Sequence, residues 1–149
     1  NFLLSVLTLV WVADIFAYFA GRAFGLRFTR NKLAPSISPG KSWEGVWGGL
    51  AGVLCLAVAW VAADRYFQAD VASFYTRLYS AGWWFLAIAV VFMVAMSVAG
   101  DLVESLIKRS AGVKDSSGLL PGHGGVLDRV DALLPTLPLA LMLTRLISV

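Results

Sequence analysis

Two stretches of the sequence contain no charged residue over a length that can cross a lipid bilayer. They cover residues 45–63 and 82–100, and each is 19 residues long. The hydrocarbon core of a bilayer is about 30 Å thick, so an uncharged apolar helix of about 18 or more residues is a candidate to span it. Residues 1–21 and 132–149 form two further apolar stretches, interrupted only by Asp14 and by Arg145, whose long side chain can reach the membrane surface.

The composition agrees with a membrane protein. Hydrophobic residues make up 59% of the chain and charged residues 14%, against about 45–50% and about 25% in soluble domains. We therefore predict an all-α polytopic integral membrane protein with four transmembrane helices, at about residues 1–21, 45–63, 82–109 and 128–149. Because Asn1 opens directly into an apolar segment, we expect residues 1–149 to form the C-terminal transmembrane domain of a longer protein.

The charges between the helices indicate which ends face the cytosol. Nine basic residues lie in or beside the loops 22–44 and 110–127: Arg22, Arg27, Arg30, Lys32, Lys41, Lys108, Arg109, Lys114 and Arg129. The connection 64–81 contains two, Arg65 and Arg77, together with two acids. Since short loops rich in lysine and arginine stay on the cytosolic side, the two basic loops are predicted to be cytosolic. Both ends of this chain are then predicted to lie on the opposite side.

Glycines recur every four residues near the start of the second helix. They form the pairs Gly45/Gly49 and Gly48/Gly52. Small residues at this spacing let the backbones of two membrane helices approach closely. We therefore interpret them as a helix-packing face.

Asp14 is an ionisable residue inside the first predicted span. Such residues cost free energy in a membrane unless they are satisfied, so each is a candidate for function. Asp14, Tyr18 and Arg22 follow one another at intervals of four residues and share one polar stripe. The sequence leaves two interpretations open, an Asp14–Arg22 bridge that supports packing and a direct role in a site.

Acidic residues also mark the facing ends of the third and fourth predicted helices. One face of the third helix contains Asp101, Glu104, Ser105 and Lys108, at i, i+3, i+4 and i+7. The fourth helix begins with Asp128 and Asp131 on one face. A solvated helix end with internal ion pairs, or acids that interact with the helix dipole, would give the same spacing. The spacing alone therefore does not establish a site.

A glycine-rich loop connects these two acidic ends. Its glycines at positions 118, 122, 124 and 125 let backbone N–H groups approach an anion, and they lead into a helix N-terminus. Carboxylates suit a hard divalent cation, and the surrounding basic groups suit phosphates. The combination predicts metal-assisted phosphoryl or nucleotidyl transfer. The sequence contains no G-x-x-x-x-G-K-[ST] motif, which excludes a P-loop NTPase.

The same residues resemble a known family of enzymes. Residues 105–131 read SLIKRSAGVKDSSGLLPGHGGVLDRVD, which is similar to the signature of the phosphatidate cytidylyltransferases, also called CDP-diacylglycerol synthases. A second block of the family is similar to WVADIFAY at 11–18, GR at 21–22, FG at 24–25 and KLAPSISPGKSWEG at 32–45. The resemblance covers essentially the whole chain from Trp11 onward.

The resemblance implies a reaction, in which CTP and phosphatidic acid give CDP-diacylglycerol and pyrophosphate. The lipid phosphate would attack the α-phosphate of CTP with Mg²⁺ as cofactor, and a second metal or a monovalent cation such as K⁺ is left open. It also implies surrounding membrane lipids, a homodimer, no nucleic-acid partner and, in bacteria, an inner-membrane protein whose active site faces the cytosol.

The resemblance further implies roles for individual residues. Asp101 and Asp128 would be metal ligands, with Asp131 close behind, and the catalytic set would be Asp101, Asp128, Lys41 and Lys114. Substrate-binding residues would be Ser105, Lys108, Arg109, His123, Gly124, Gly125 and Arg129. A phosphate monoester has a second pKa of about 6, so phosphatidate is largely a dianion at neutral pH and needs no general base. His123 is therefore expected to shape the loop or contact a phosphate.

Other functions fit parts of the pattern. A CDP-archaeol synthase or a CTP-dependent polyprenol kinase would use the same nucleotide on another lipid. A transporter module would distribute charges through the depth of the membrane, whereas Asp101, Asp128 and Asp131 are predicted to cluster near one face. The sequence does not establish which acyl chains or nucleotides are preferred.

Overall fold

The computed structural model describes residues 1–25, 27–29, 32–113 and 130–147. In chain order the elements are helix α1 (Phe2–Phe24), strands β1 (Lys32–Ala34) and β2 (Ser38–Ser42), and helices α2 (Trp43–Tyr66), α3 (Phe74–Ser80), α4 (Trp83–Ser110) and α5 (Leu133–Ile147). The protein is mainly helical, as predicted. The short hairpin β1–β2 and the short helix α3 were not predicted.

Three of the helices are long and apolar enough to cross a membrane. They are α1 with 23 residues, α2 with 24 and α4 with 28. At 1.5 Å per residue, α4 is about 42 Å long and exceeds the hydrocarbon core of about 30 Å. Helix α5 has 15 described residues. A transmembrane helix needs about 20 residues, so α5 is too short to count as one. Three candidate spans are therefore established among the described residues, and the predicted fourth is not.

Glycines bring α1 and α2 into close contact. A Cβ atom on Gly49 would lie 2.8 Å from the Ala13 carbonyl oxygen, and one on Gly48 would lie 2.1 Å from the Ala20 Cβ. These distances leave no room for a side chain, so the backbones meet directly. The interpretation of the four-residue glycine spacing as a packing face is confirmed.

Helix α3 closes one end of the bundle. Its side chains Phe74, Tyr75 and Leu78 are fully buried, and the Phe74 N–H donates to Ser5 Oγ of α1 at 2.9 Å. Asp64, near the end of α2, accepts hydrogen bonds from Ser73 N–H and from other polar groups of this end. The start of α1 and the connection between α2 and α4 therefore lie at the same end of the molecule.

The hairpin lies at the opposite end, inside the segment predicted to be a loop. Its turn is closed by a hydrogen bond from Ile37 N–H to the Ala34 carbonyl at 3.2 Å. An isolated two-stranded hairpin is marginally stable in water, and here it is held against α4: Arg109 Nε donates to the Ile37 carbonyl at 3.5 Å, and Lys41 pairs with Asp101. The predicted all-α fold class thus describes the helical bundle correctly, but it leaves out the β-hairpin in this loop.

Candidate active site at the hairpin end of the bundle

An ion pair joins the hairpin to the third long helix. Lys41 of β2 donates from Nζ to Asp101 Oδ2 of α4, and the two side chains are 24% and 34% exposed. Sixty residues separate the two positions in the chain. Lys41 and Asp101, two members of the predicted catalytic set, are therefore in contact in the folded protein.

Three carboxylates meet beside this ion pair. Oxygens of Asp101, Glu104 and Asp131 all lie within 4.8 Å of one another. The close approach of α4 and α5 makes this possible, because a Cβ on Gly100 would lie 2.7 Å from Pro135 Cγ and 3.0 Å from the Asp131 carbonyl oxygen. Clustered carboxylate oxygens are the ligands that a hard cation such as Mg²⁺ prefers. The donor set of the described residues therefore fits a divalent metal.

Glu104 belongs to this cluster although sequence reasoning gave it no role. It lies three residues after Asp101 on the same face of α4, it is buried with 7% exposure, and it forms an ion pair of 3.2 Å with Lys108. The spacing from Asp101 was the available signal. It had a second interpretation as a solvated helix end, which the burial of Glu104 contradicts.

Asp131 lies in a turn immediately before α5 rather than inside the helix. Its Oδ1 accepts the Ala132 N–H at 2.7 Å, and α5 begins at Leu133. Pro135 occupies the first turn of α5, where the missing N–H of proline is tolerated. The predicted start of this helix, at residue 128, falls outside the described residues.

Three predicted substrate-binding residues of α4, Ser105, Lys108 and Arg109, contact three different groups of the protein. Ser105 Oγ donates to Asp101 Oδ1 in a long hydrogen bond of 3.5 Å. Lys108 pairs with Glu104, and Arg109 is exposed and contacts the tip of the hairpin. Ser105 thus contacts a carboxylate of the acidic cluster, whereas Arg109 lies one turn further along α4 and contacts the hairpin.

A cavity of about 550 Å³ opens beside the Lys41–Asp101 pair. It lies between α1, β2, the start of α2 and α4, and its polar lining includes Asp14, Tyr18, Arg22, Lys41, Ser42 and Asp101. Asp14 is close enough to interact electrostatically with Lys41, Asp101 and Asp131. The cavity therefore combines anionic and cationic groups at one end of an apolar bundle.

The Asp14–Arg22 bridge is absent from the structure. Arg22 Nη1 instead donates to Tyr18 Oη at 3.0 Å, and the ion pairs among the described residues are Lys41–Asp101 and Lys108–Glu104. Asp14 faces the cavity. Of the two interpretations that the sequence left open, the packing bridge is therefore wrong.

Glu44 connects the chain before the hairpin to the start of α2. Its Oε1 accepts hydrogen bonds from Thr29 N–H at 2.7 Å, Thr29 Oγ1 at 2.7 Å and Phe28 N–H at 3.2 Å. Glu44 is 8% exposed and follows Lys41 by three residues. This network fixes both ends of the segment that contains Lys41, a role that sequence reasoning did not identify.

Several predicted site residues fall outside the described residues. They are Lys114, His123, Gly124, Gly125, Asp128 and Arg129. Their roles stay predictions, and the site described above consists of the remaining groups.

The fold and the cavity define a helical membrane protein with an ionic, carboxylate-rich site at one end of its bundle. The chain belongs to the cytidylyltransferase family, whose model matches residues 1–147. It is 52% identical to a phosphatidate cytidylyltransferase of Haemophilus influenzae over 91% of this chain and 43% of that protein. It is 41% identical to a phosphatidate cytidylyltransferase of Thermotoga maritima, over 97% of this chain and 49% of that protein.

A plant protein is similar as well. The chain is 42% identical to phosphatidate cytidylyltransferase 5, chloroplastic, of Arabidopsis thaliana, over 90% of this chain and 29% of that protein. The chain thus spans less than half the length of each of these relatives.

Proposed function

We propose that the protein is a CTP:phosphatidate cytidylyltransferase of phospholipid biosynthesis and that this chain contains its catalytic transmembrane part. A phosphate oxygen of phosphatidate attacks the α-phosphorus of CTP. The bond from that phosphorus to the bridging oxygen of the β-phosphate breaks, and CDP-diacylglycerol and pyrophosphate form. The observation that carries the proposal is the cavity lined by Lys41, Arg22 and Asp101, because Asp101 also belongs to the cluster of three carboxylates that includes Glu104 and Asp131.

The position of the cavity suits two substrates of different polarity. It lies where apolar helices α1, α2 and α4 reach the hairpin, so a lipid phosphate can enter from the membrane and a nucleotide from water. The names of the relatives from Haemophilus influenzae and Thermotoga maritima support this choice of substrates.

Bringing two polyanions together is the main electrostatic problem of this reaction. Phosphatidate is largely a dianion at neutral pH and attacks without a general base. Lys41 places a positive charge and hydrogen-bond donors at the cavity wall. Arg22, whose guanidinium group is hydrogen-bonded to Tyr18, supplies a second cation. Such preorganised charges stabilise the developing charge of the transition state and the leaving pyrophosphate.

The acidic cluster would hold Mg²⁺, with Asp101, Glu104 and Asp131 as ligands from the described residues and Asp128 as the further predicted one. A bound divalent cation supplies Lewis-acid stabilisation of phosphate charge. A carboxylate has two oxygens, so Asp101 can keep Lys41 on Oδ2 and offer Oδ1 to a metal. Ser105, which donates to Oδ1, would keep that oxygen oriented.

The membrane arrangement follows from the same proposal. Helix α5 would belong to the fourth span, and the hairpin end would face the cytosol because the basic loops lie there. In a bacterium this is the inner membrane. A transporter module fits less well, because Asp101, Glu104 and Asp131 form one cluster and Asp14 lines the same cavity as Asp101.

The reaction can be tested with doubly labelled CTP and purified full-length protein in mixed micelles with Mg²⁺. We expect the α-phosphate label to enter the lipid and the γ-phosphate label to leave as pyrophosphate, when phosphatidate is the acceptor. A polyprenol kinase would instead transfer the γ-label to a polyprenol, and a CDP-archaeol synthase would prefer an ether-linked archaeal lipid. Either result, or no transfer to phosphatidate, would refute the proposal.

Removing the Glu44 hydrogen-bond network should lower activity although Glu44 does not line the cavity. We expect Glu44→Ala to reduce kcat/KM by about tenfold, the size of effect that partners of functional side chains commonly have. Glu44→Gln keeps an acceptor oxygen for Thr29 N–H and should lose less than about threefold. The two variants are compared in the same transfer assay, after their membrane insertion has been checked. Equal losses, or none, would mean that Glu44 does not position Lys41.

A further inference from the structure

A second cavity lies at the opposite end of the bundle from the candidate active site. It is a groove of about 390 Å³ between α2 and α4, and α3 closes one end. Its sides are aliphatic, with Ala57 and Val61 on α2 and Leu86 and Ala87 on α4. Because these are mostly small side chains, they leave space between the two helices.

One end of this groove is polar and aromatic. Arg65, Tyr79 and Trp83 line it there, and the Arg65 guanidinium carbon lies 4.6 Å from the centre of the Tyr79 ring. Arg65 and Trp83 are largely exposed. Tryptophan and tyrosine are enriched at the boundary between membrane and water, and an arginine near a helix end reaches it with its long side chain, so we place this end of the groove at that boundary.

The length of the groove matches one leaflet of a bilayer. It runs along α2 from Leu54 to Arg65, which is about 16 Å at 1.5 Å per residue. Half of a hydrocarbon core of about 30 Å is about 15 Å. An acyl chain lying in the groove would therefore reach the middle of the membrane while its headgroup stays beside Arg65.

We propose that this groove binds an anionic phospholipid, with one acyl chain between α2 and α4 and the phosphate at Arg65. The charge of Arg65, held over Tyr79 at the mouth of an aliphatic groove, selects an anionic headgroup. This site lies in the leaflet opposite to Lys41, because Lys41 precedes the first residue of α2 whereas Arg65 belongs to its last turn. It is thus separate from the cavity proposed for phosphatidate, and it does not depend on the proposed reaction.

Native mass spectrometry of the purified full-length protein tests the proposal. The protein is titrated with phosphatidylglycerol and, separately, with phosphatidylcholine of identical acyl chains. We expect tighter binding of phosphatidylglycerol, and Arg65→Gln should weaken it about fivefold, the factor that corresponds to about 1 kcal/mol per basic residue near a lipid surface. Binding of phosphatidylcholine should not change in this variant.

Two pairs of matched variants make the test specific. Arg77 also lies at this end and stacks on an aromatic ring, Phe2, at 5.6 Å, but it does not line the groove. We expect Arg77→Gln to bind phosphatidylglycerol like the unmodified protein. Ala62→Phe should fill the groove and abolish the tight site, whereas Ala59→Phe, on an exposed position of α2 outside the groove, should not.

Each contrary outcome overturns the proposal in a recognisable way. Equal losses in Arg65→Gln and Arg77→Gln would indicate diffuse attraction of anionic lipid to this end of the protein. Equal affinity for the two lipids would indicate an apolar groove without headgroup selection. If Ala62→Phe leaves lipid binding unchanged and instead alters the oligomeric mass, the groove is covered by a second copy of the protein.

Discussion

Replacing Asp101 by asparagine is expected to abolish turnover while the protein stays folded in the membrane. Asparagine has nearly the same size and keeps one acceptor oxygen, which Lys41 can retain while Ser105 Oγ accepts from the new amide, but the negative charge of the acidic cluster falls. Loss of a single electrostatic contact to a transition state costs roughly 10²–10³ in rate. Asp101 both holds Lys41 and offers an oxygen to a metal, so the loss should exceed about 10³. The measurement is transfer of α-labelled CTP to phosphatidate at saturating Mg²⁺.

Asp70 provides a matched control for this substitution. It is an exposed carboxylate in the connection between α2 and α3, at the end of the bundle away from the cluster, and Asp70→Asn should leave activity unchanged. For Asp131→Asn we expect a smaller loss, accompanied by a higher Mg²⁺ requirement, because Asp131 belongs to the acidic cluster but does not also hold Lys41. Substantial activity of Asp101→Asn, with Mg²⁺ dependence unchanged, would remove Asp101 from the metal site.

Long-range features of the site were predictable only through the family resemblance. The local periodicity predicts helices along α1, α2 and α4, because each contains a long apolar stretch with few charges. It does not predict that Lys41 contacts Asp101, since nothing in the spacing of two residues 60 positions apart specifies a contact. The family blocks connected these positions, and the structure supplies the physical link through the hairpin.

Burial decided the points on which sequence spacing was ambiguous. Glu104 and Glu44 are acidic residues near helix ends, and such residues are usually solvated. Their burial depends on how α4 meets α5 and how the chain before the hairpin folds back on α2. These are tertiary contacts that one sequence does not specify. Arg22 had two polar partners on its own helix face, and the structure pairs it with Tyr18 rather than with Asp14.

The hairpin was missed because its sequence contains the residues that break regular structure. Pro35 and Pro39 predicted an irregular loop, and proline is tolerated in strands only at edges or bulges. Both strands of a two-stranded sheet are edges; Pro39 lies in β2 and is exposed, and Pro35 lies in the turn between the strands. The pairing Lys32↔Ser42 and Ala34↔Ser38 accordingly contains an irregularity in register.

Lys41 is expected to contribute to catalysis far more than a basic residue that merely attracts anionic lipid. If its ammonium group contacts a phosphate in the transition state, Lys41→Ala should lower kcat/KM by about 10²–10³, or roughly 2.7–4 kcal/mol. A juxtamembrane basic residue that acts through the surface potential contributes about 1 kcal/mol. CTP and phosphatidate are varied separately. The substrate whose KM changes together with kcat in Lys41→Ala is the one whose phosphate Lys41 contacts.

Arg27 is the control that separates these explanations. It is an exposed basic residue close to the hairpin, on the same basic loop as Lys41, and it does not line the cavity. We therefore expect Arg27→Ala to leave kcat/KM nearly unchanged. Lys41 also neutralises Asp101, so its loss leaves the acidic cluster more negative and should tighten Mg²⁺ binding even as turnover falls. A small loss of equal size in Lys41→Ala and Arg27→Ala, with no change in the Mg²⁺ requirement, would mean that Lys41 acts through bulk charge and contacts no phosphate.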